Sequence, residues 1–140
     1  MKTYILMVLL VFSQHLRSQQ IISSLSINEC VDSINILLQS YTDYKPVLYV
    51  QASGDAQIVY KDGGRFIFNL AELYDDEYAQ GQQYKGIELQ LYNPGAKGQN
   101  NFIYFHTSGK GDAFIKFGRI PEDKLKIIYN RFIYLRKQFE

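Results

Sequence analysis

The feature that most constrains the fold is an alternation of apolar and polar residues between Val47 and Phe117, in short segments separated by tight turns. A period of two is typical of β-strands that bury one face. The gaps between the segments are too short for a crossover helix, so successive strands must run antiparallel. The middle of the chain therefore predicts an antiparallel sheet.

The alternation predicts about six strands. Turns bound the first three, because Asp-Gly and Gly-Gly pairs accept positive φ angles. Residues 71–84, with Asp75-Asp76-Glu77 at their centre, are predicted to form a loop with room for one helical turn, and residues 93–100 a flexible hairpin loop. The predicted strands are Val47–Ala52, Gln57–Tyr60, Arg65–Leu70, Lys85–Tyr92, Asn101–His106 and Ala113–Phe117.

Two amphipathic helices are predicted to flank the strands. In the first, from Leu25 to Tyr41, apolar residues recur at spacings of three and four, and Ser26 and Glu29 form the S-x-x-E pattern of a capping box. The second begins near Pro121, because proline suits the first helical position. Its apolar stripe consists of Leu125, Ile128, Tyr129, Phe132, Leu135 and Phe139.

The first 18 residues have the composition of a secretory signal peptide. Met1-Lys2 is a charged start, Tyr4–Phe12 is an apolar run, and a polar exit ends in a small residue. The run is shorter than the ~20 residues that a membrane span needs, although an uncleaved anchor is the alternative. We expect cleavage between Ser18 and Gln19, one domain over residues 19–140 without a stable membrane span, and a location in the periplasm, at the cell surface or in the medium.

The predicted order of helix, strands and helix defines an α+β domain, with a curved sheet or partial barrel capped by the C-terminal helix. From Val47 to Phe139 this order resembles the pleckstrin-homology-like superfold, to which the leading helix is an addition. Together with the signal peptide, it resembles small exported proteins of Gram-negative bacteria. The resemblance implies a binding module, since the superfold supports many unrelated binding roles.

Charge and cysteine content exclude some classes of function. The chain has 15 basic and 14 acidic residues without a concentrated basic face, so we expect no nucleic-acid partner. Its one cysteine, Cys30, cannot form an internal disulfide. Because Cys30 lies on the apolar stripe of the first helix, we predict that it is buried, with an intermolecular disulfide as the alternative.

The sequence offers few residues that could bind a metal ion or a cofactor. His106 is the only histidine beyond the predicted signal peptide, and we predict a half-exposed residue at a strand end, with a ligand contact or general base as the alternative. One histidine and one buried cysteine fall short of a zinc site. The run Asp75-Asp76-Glu77 lacks the ligand spacing of a calcium loop. The sequence therefore predicts no metal site and no cofactor.

Enzymatic activity is left open, with a non-enzyme favoured. The sequence has no nucleophile elbow of the G-x-S-x-G type. Glu72 and Glu88 could form the carboxylate pair of a small hydrolase acting on glycans, although Glu88 fits a solvated strand face better. This hydrolase is the alternative to a non-catalytic role.

Aromatic residues make up 15% of the chain and point to binding. The strand pattern puts several of them on the sheet face opposite the core, which the leading helix either covers or leaves partly open to a protein, lipid or glycan. We therefore predict an exported, non-catalytic binding or interaction module, with a self-associating envelope protein as a further alternative. The candidate ligand-binding residues are Tyr49, Phe102, Tyr104 and His106.

Overall fold

A computed structural model describes residues 25–91, 101–108, 111–118 and 120–140, which form two helices and two antiparallel sheets. The α+β class is thereby confirmed. The predicted signal peptide and the predicted loop over residues 93–100 lie outside the described residues. The elements are α1 (Ile27–Tyr41), β1 (Val47–Val50), β2 (Asp55–Val59), β3 (Arg65–Asn69), β4 (Gln82–Tyr84), β5 (Ile87–Gln90), β6 (Asn101–Phe105), β7 (Ala113–Phe117) and α2 (Glu122–Lys137).

The first sheet, β1-β2-β3, contains the three predicted strands, with the first turn two residues earlier than predicted. Gly54 and Gly63 lie at the two turns with φ angles of 89°, which residues with a side chain rarely adopt. On the inner face Leu48, Ala56 and Ile58 are buried, as the alternation requires. A short 3-10 turn, Leu70–Glu72, follows β3; it begins on the last residue of the predicted third strand and extends into the predicted loop.

The second sheet, β4-β5-β6-β7, contains a hairpin that the sequence analysis missed. Lys85 and Gly86 form its two-residue turn with φ angles of 42° and 82°, the signs that a type I′ turn requires. The prediction of a strand beginning at Lys85 was therefore wrong. A Cβ atom on Gly86 would lie 2.7 Å from the backbone nitrogen of Tyr74, so this turn also needs the bare backbone.

The helices match their predicted spans, except that Phe139 lies beyond the end of α2, and the capping box is confirmed. The Glu29 amide donates to Ser26 Oγ at 3.2 Å, and the Ser26 amide donates to Glu29 Oε2 at 2.8 Å. Pro121 is the N-cap of α2 and precedes its first helical residue. Cys30 is fully buried as predicted, and this burial raises the pKa of its thiol to about 11.

The strands form two sheets, whereas about six strands in one curved sheet were expected. Strands β3 and β7 lie side by side, but neither sheet includes a hydrogen-bonded ladder between them. Instead, the Tyr60 hydroxyl donates to the Phe114 carbonyl at 2.6 Å across this junction. Within the described ranges the strands do not close into a barrel, so the pleckstrin-homology-like architecture stays a prediction. None of the helices in those ranges is long and apolar enough to cross a membrane.

Candidate functional site

Four ionisable side chains meet at one end of the outer face of the second sheet, and we call them the histidine cluster: Asp76, Glu88, His106 and Asp112. Glu88 is on β5 and His106 directly follows β6. Asp76 comes from the loop before β4, and Asp112 directly precedes β7. The cluster thus joins residues from two neighbouring parts of the chain, Asp76 with Glu88 and His106 with Asp112.

His106 is the centre of the cluster, with its side chain only 5% exposed. Its Nε2 lies 2.7 Å from Glu88 Oε2, and its Nδ1 lies 2.9 Å from Asp112 Oδ2. A second carboxylate oxygen, Asp76 Oδ2, is 3.7 Å from the same Nδ1. Because Nδ1 carries at most one hydrogen, it cannot donate to both aspartates at short range.

Glu88 is held by hydrogen bonds at both carboxylate oxygens. Its Oε1 accepts from the amides of Gln80 and Gly81 at 2.9 and 2.7 Å and from Gln90 Nε2 at 2.9 Å. Its Oε2 contacts His106. A buried carboxylate needs such compensation, because burial without partners would favour its neutral form.

Asp76 and Asp112 are held in the same way. One oxygen of each, Oδ1, accepts a backbone amide: from Tyr78 at 3.0 Å for Asp76 and from Thr107 at 3.1 Å for Asp112. The other oxygen, Oδ2, is directed at His106 Nδ1. The three potential ligand atoms of Asp76, His106 and Asp112 all lie within 4.8 Å of one another.

The loop before β4 buries this end of the sheet. Gly81 approaches β5 so closely that a Cβ atom there would lie 2.1 Å from the Leu89 carbonyl oxygen. This approach brings the Gly81 amide to Glu88. Gln83 fixes Asp76 through its side chain, which accepts from the Asp76 amide at 2.8 Å and donates to the Asp76 carbonyl at 3.2 Å.

The contacts decide the charge states of Glu88 and His106. Burial alone would raise the pKa of Glu88, but hydrogen bonds from Gln90, Gly81, His106 and Gln80 outweigh it and hold the pKa below its usual value. Burial alone would lower the pKa of His106, but Glu88 and Asp112 outweigh it and raise that pKa. In the absence of other cations the cluster therefore favours an imidazolium between carboxylates.

Next to the cluster, three rings on the outer face of the second sheet meet one ring from β3 of the first sheet, and we call this group the aromatic patch: Phe102, Tyr104, Phe114 and Phe66. Phe102, Tyr104 and Phe114 lie with their ring centroids 5.4 to 6.0 Å apart, and Phe66 is 5.3 Å from Phe114. Tyr104 also stacks on His106, with an interplanar angle of 9° at 6.2 Å. Phe114 is 36% exposed and the other three rings are half-buried.

The structure brings together three of the four candidate ligand-binding residues. Phe102, Tyr104 and His106 share one face of β6 and its end. Tyr49 is on β1 of the other sheet, where it is 57% exposed beside a groove along α1, and it has no ring contact with the patch. The leading helix, α1, which was considered as a cover for the outer aromatic face, packs on β1 and α2.

Two expectations about exposure were wrong. His106 is 4% exposed, although a half-exposed residue was predicted, and Glu88 is 1% exposed, although a solvated strand face was predicted. Both are buried because the loop before β4 folds over this end of the sheet. Glu72 is exposed on the 3-10 turn and is not among the contacts described for Glu88.

The sequence analysis missed Asp76 and Asp112 as partners of His106. It counted only histidine and cysteine as metal ligands and treated the Asp75-Asp76-Glu77 run by itself. A usable signal was present in Lys85-Gly86, since a hairpin there returns the preceding loop to β5. The position of Asp112 was a second signal, because Asp112 directly precedes a strand that pairs with the strand before His106.

Comparison with known proteins gives no relatives: no protein-family model matches the chain, and no curated protein or solved structure matches significantly.

Proposed function

We propose that this protein is an exported, non-catalytic binding module that binds a protein partner through the aromatic patch. The observation that carries the proposal is a cluster of four contacting aromatic rings, three on the outer face of the second sheet and Phe66 from β3 beside it, with Phe114 36% exposed. Aromatic side chains contribute a large share of the binding energy at protein interfaces. A patch that adjoins a fixed polar cluster also matches the usual interface composition of apolar centre and polar rim.

The ring geometry favours a protein over a glycan. Phe102 and Phe114 meet at 73°, and Tyr104 and Phe114 at 45°, so the rings do not form one flat platform. A sugar ring stacks best on a flat aromatic face, whereas apolar side chains of a protein can fill the spaces between tilted rings. An anionic lipid surface would favour several basic side chains around the patch. The pairing of β6 with β7 places one basic residue, Lys116, beside Phe102.

The non-catalytic part of the proposal rests on how the acid and base groups are used. Both ring nitrogens of His106 contact carboxylates, and both oxygens of Glu88 have partners. Neither group is free to exchange a proton with a substrate in this arrangement. A hydrolase that pairs Glu72 with Glu88 would need Glu88 released from four hydrogen bonds.

The proposed export and the proposed fold family are inferred from the sequence. The composition of residues 1–18 supports export to the periplasm, the cell surface or the medium. The resemblance to the pleckstrin-homology-like superfold supports a binding role by analogy. N-terminal sequencing of the protein recovered outside the cytoplasm tests both the export and the predicted cut after Ser18.

Site-specific photocrosslinking tests the binding surface. A photoreactive residue is placed at Phe114 in the producing cell, and at Ile127 of α2 as a control, because Ile127 has nearly the same exposure, 38% against 36%. We expect a discrete protein adduct from position 114 and none from position 127. Tyr104→Ser should abolish the adduct without lowering the amount of folded protein.

Three outcomes would overturn this assignment. Equal labelling at positions 114 and 127 would remove the aromatic patch as a specific surface. An adduct of exactly twice the chain mass would make the protein a self-associating one, and selective binding on a glycan array that Tyr104→Ser abolishes would make the ligand a sugar.

A further inference from the structure

We infer that Asp76, His106 and Asp112 bind a divalent transition-metal ion, of which Zn²⁺ is the best match. The site goes beyond the aromatic patch, since it uses a different part of the outer face.

The donor types suit zinc and its neighbours in the first transition row. Imidazole nitrogen with carboxylate oxygen is a donor set that Zn²⁺ accepts readily. Magnesium and calcium prefer oxygen ligands alone, and calcium takes six to eight of them. The nitrogen of His106 at the centre of the site therefore favours a transition metal.

The distances are close to those of a coordinated ion. In a tetrahedral site with metal–ligand distances of about 2.1 Å, neighbouring ligand atoms are about 3.4 Å apart. His106 Nδ1 is 2.9 Å from Asp112 Oδ2 and 3.7 Å from Asp76 Oδ2, so the two distances bracket that value. The ligand atoms of Asp76 and Asp112 lie within 4.8 Å of one another, so movement of these two aspartate side chains toward a shared ion would complete three ligands of a tetrahedron.

Glu88 supplies the support that a ligating histidine usually has. Metal-binding histidines donate their second ring N–H to a carboxylate or carbonyl, which fixes the tautomer and the ring orientation. Glu88 Oε2 lies 2.7 Å from His106 Nε2 and is itself fixed by three donors at Oε1. This contact favours a hydrogen on Nε2 and leaves Nδ1 to the metal.

The charge balance also calls for a cation. Three carboxylates surround one imidazole, and in the described ranges none of them forms an ion pair with Lys or Arg. A divalent ion replaces the single Nδ1 proton, which leaves to solvent, and compensates more of the negative charge. The Asp76 and Asp112 side chains are 29% and 35% exposed, so the ion can enter from solvent.

Calorimetry on the tag-free protein, stripped with a chelator and titrated with ZnCl₂, tests the site. We expect one equivalent of Zn²⁺, with loss of binding in Asp112→Asn and Asp76→Asn. Glu88→Gln should weaken binding about 10- to 100-fold, as is usual for a carboxylate that supports a ligating histidine. Glu77→Gln is the matched control, because Glu77 is one residue from Asp76, is exposed, and is outside the cluster.

Nitrogen-15 spectra of the His106 ring give a second readout that does not depend on affinity. On addition of Zn²⁺ the Nδ1 resonance should move to the position of a metal-bound nitrogen while Nε2 keeps its hydrogen. Absence of heat and of any shift would overturn the proposal. Zn²⁺ binding that Asp76→Asn and Asp112→Asn leave unchanged, in proteins that circular dichroism shows to be folded, would overturn it equally.

Discussion

The two faces of the second sheet come from the same strands but are buried by different means. On the inner face Ile87, Leu89 and Ile103 are 0–2% exposed and pack in the apolar core. On the outer face Glu88 is 1% exposed, yet its burial depends on hydrogen bonds and on a covering loop. Equal burial therefore has two physical origins, non-directional apolar packing and directional pairing of polar groups.

This difference predicts how each face tolerates change. Apolar packing loses free energy in proportion to the volume that is removed. A polar cluster fails when one partner is removed and the others remain buried without a partner.

Removal of a ring should cost far more on the inner face than on the outer one. Phe105 is fully buried between Phe68 and Phe132, each with its ring centroid 4.9 Å away. We expect Phe105→Ala to lower the free energy of unfolding by about 3–5 kcal/mol. Phe102→Ala, three positions earlier on the half-buried outer face, should cost less than half of that. Chemical denaturation of both variants measures the ratio, and equal losses would contradict the distinction.

Loss of the buried carboxylate should be the largest effect on the outer face. Glu88→Leu leaves the amides of Gln80 and Gly81 and the Nε2 of His106 without their acceptor. We expect a loss of about 3 kcal/mol in the free energy of unfolding. Glu77→Leu is the control for the same substitution at an exposed position, in the loop before β4, and it should change stability little. If Glu88→Leu were neutral, packing alone would bury the outer face.

The Tyr129 hydroxyl allows the contribution of one hydrogen bond at the inner face to be measured. The Tyr129 hydroxyl donates from α2 to the Gln82 carbonyl at 3.1 Å, and its burial raises the pKa of Tyr129 to about 12. Tyr129→Phe keeps the ring and should cost about 1 kcal/mol of unfolding free energy. Hydrogen exchange should quicken at β4, where the carbonyl loses its donor. Unchanged exchange at β4 would show that the hydroxyl does not hold this strand.

The outer face should also respond to pH, whereas the inner face should not. The pKa of Glu88 is below its usual 4.5, so its contribution is present above that pH and is lost as the pH falls through the lowered value. The pKa of His106 is above its usual 6.5, so its contribution is present below that pH and is lost as the pH rises through the raised value.

The stability advantage of the natural chain over Glu88→Gln should therefore be greatest between about pH 4.5 and 6.5. Thermal unfolding measured from below this range to above it, with a chelator present, tests this expectation. The other ionisable groups that face the ring are Asp76, Asp112 and Tyr104, and they are common to both proteins. A pH-independent difference would mean that the cluster contributes no titrating charge to stability.

Local signals in the sequence explain how much of the fold could be predicted from it. The capping box at Ser26, the glycine turns and the alternation in β2, β3, β6 and β7 act between neighbouring residues, so they can be read without knowledge of distant contacts. The prediction failed at residues 71–86, where β4 has only three residues and its turn begins with Lys85. Short strands have little period to detect.

The candidate site shows where such signals end. Strand alternation put Phe102, Tyr104 and His106 on one face, and the structure agrees. It could not show that Tyr49 belongs to a different sheet, because the pairing of distant strands is not encoded in their period. It could not bring Asp76 and Asp112 to His106, since neither aspartate lies within a strand.

By itself the sequence determined the α+β class, the two helices and the inner faces of most strands, because these follow from periodicity and from local turn and cap chemistry. The tertiary structure alone decided that the strands divide into two sheets and that a loop covers one end of the second. That loop, with Gly81 against β5, turned a strand residue expected in water, Glu88, into a buried carboxylate beside His106. The burial and the charge state of a residue depend on the groups that cover it. The alternation of the sequence shows only on which face of the sheet the residue lies.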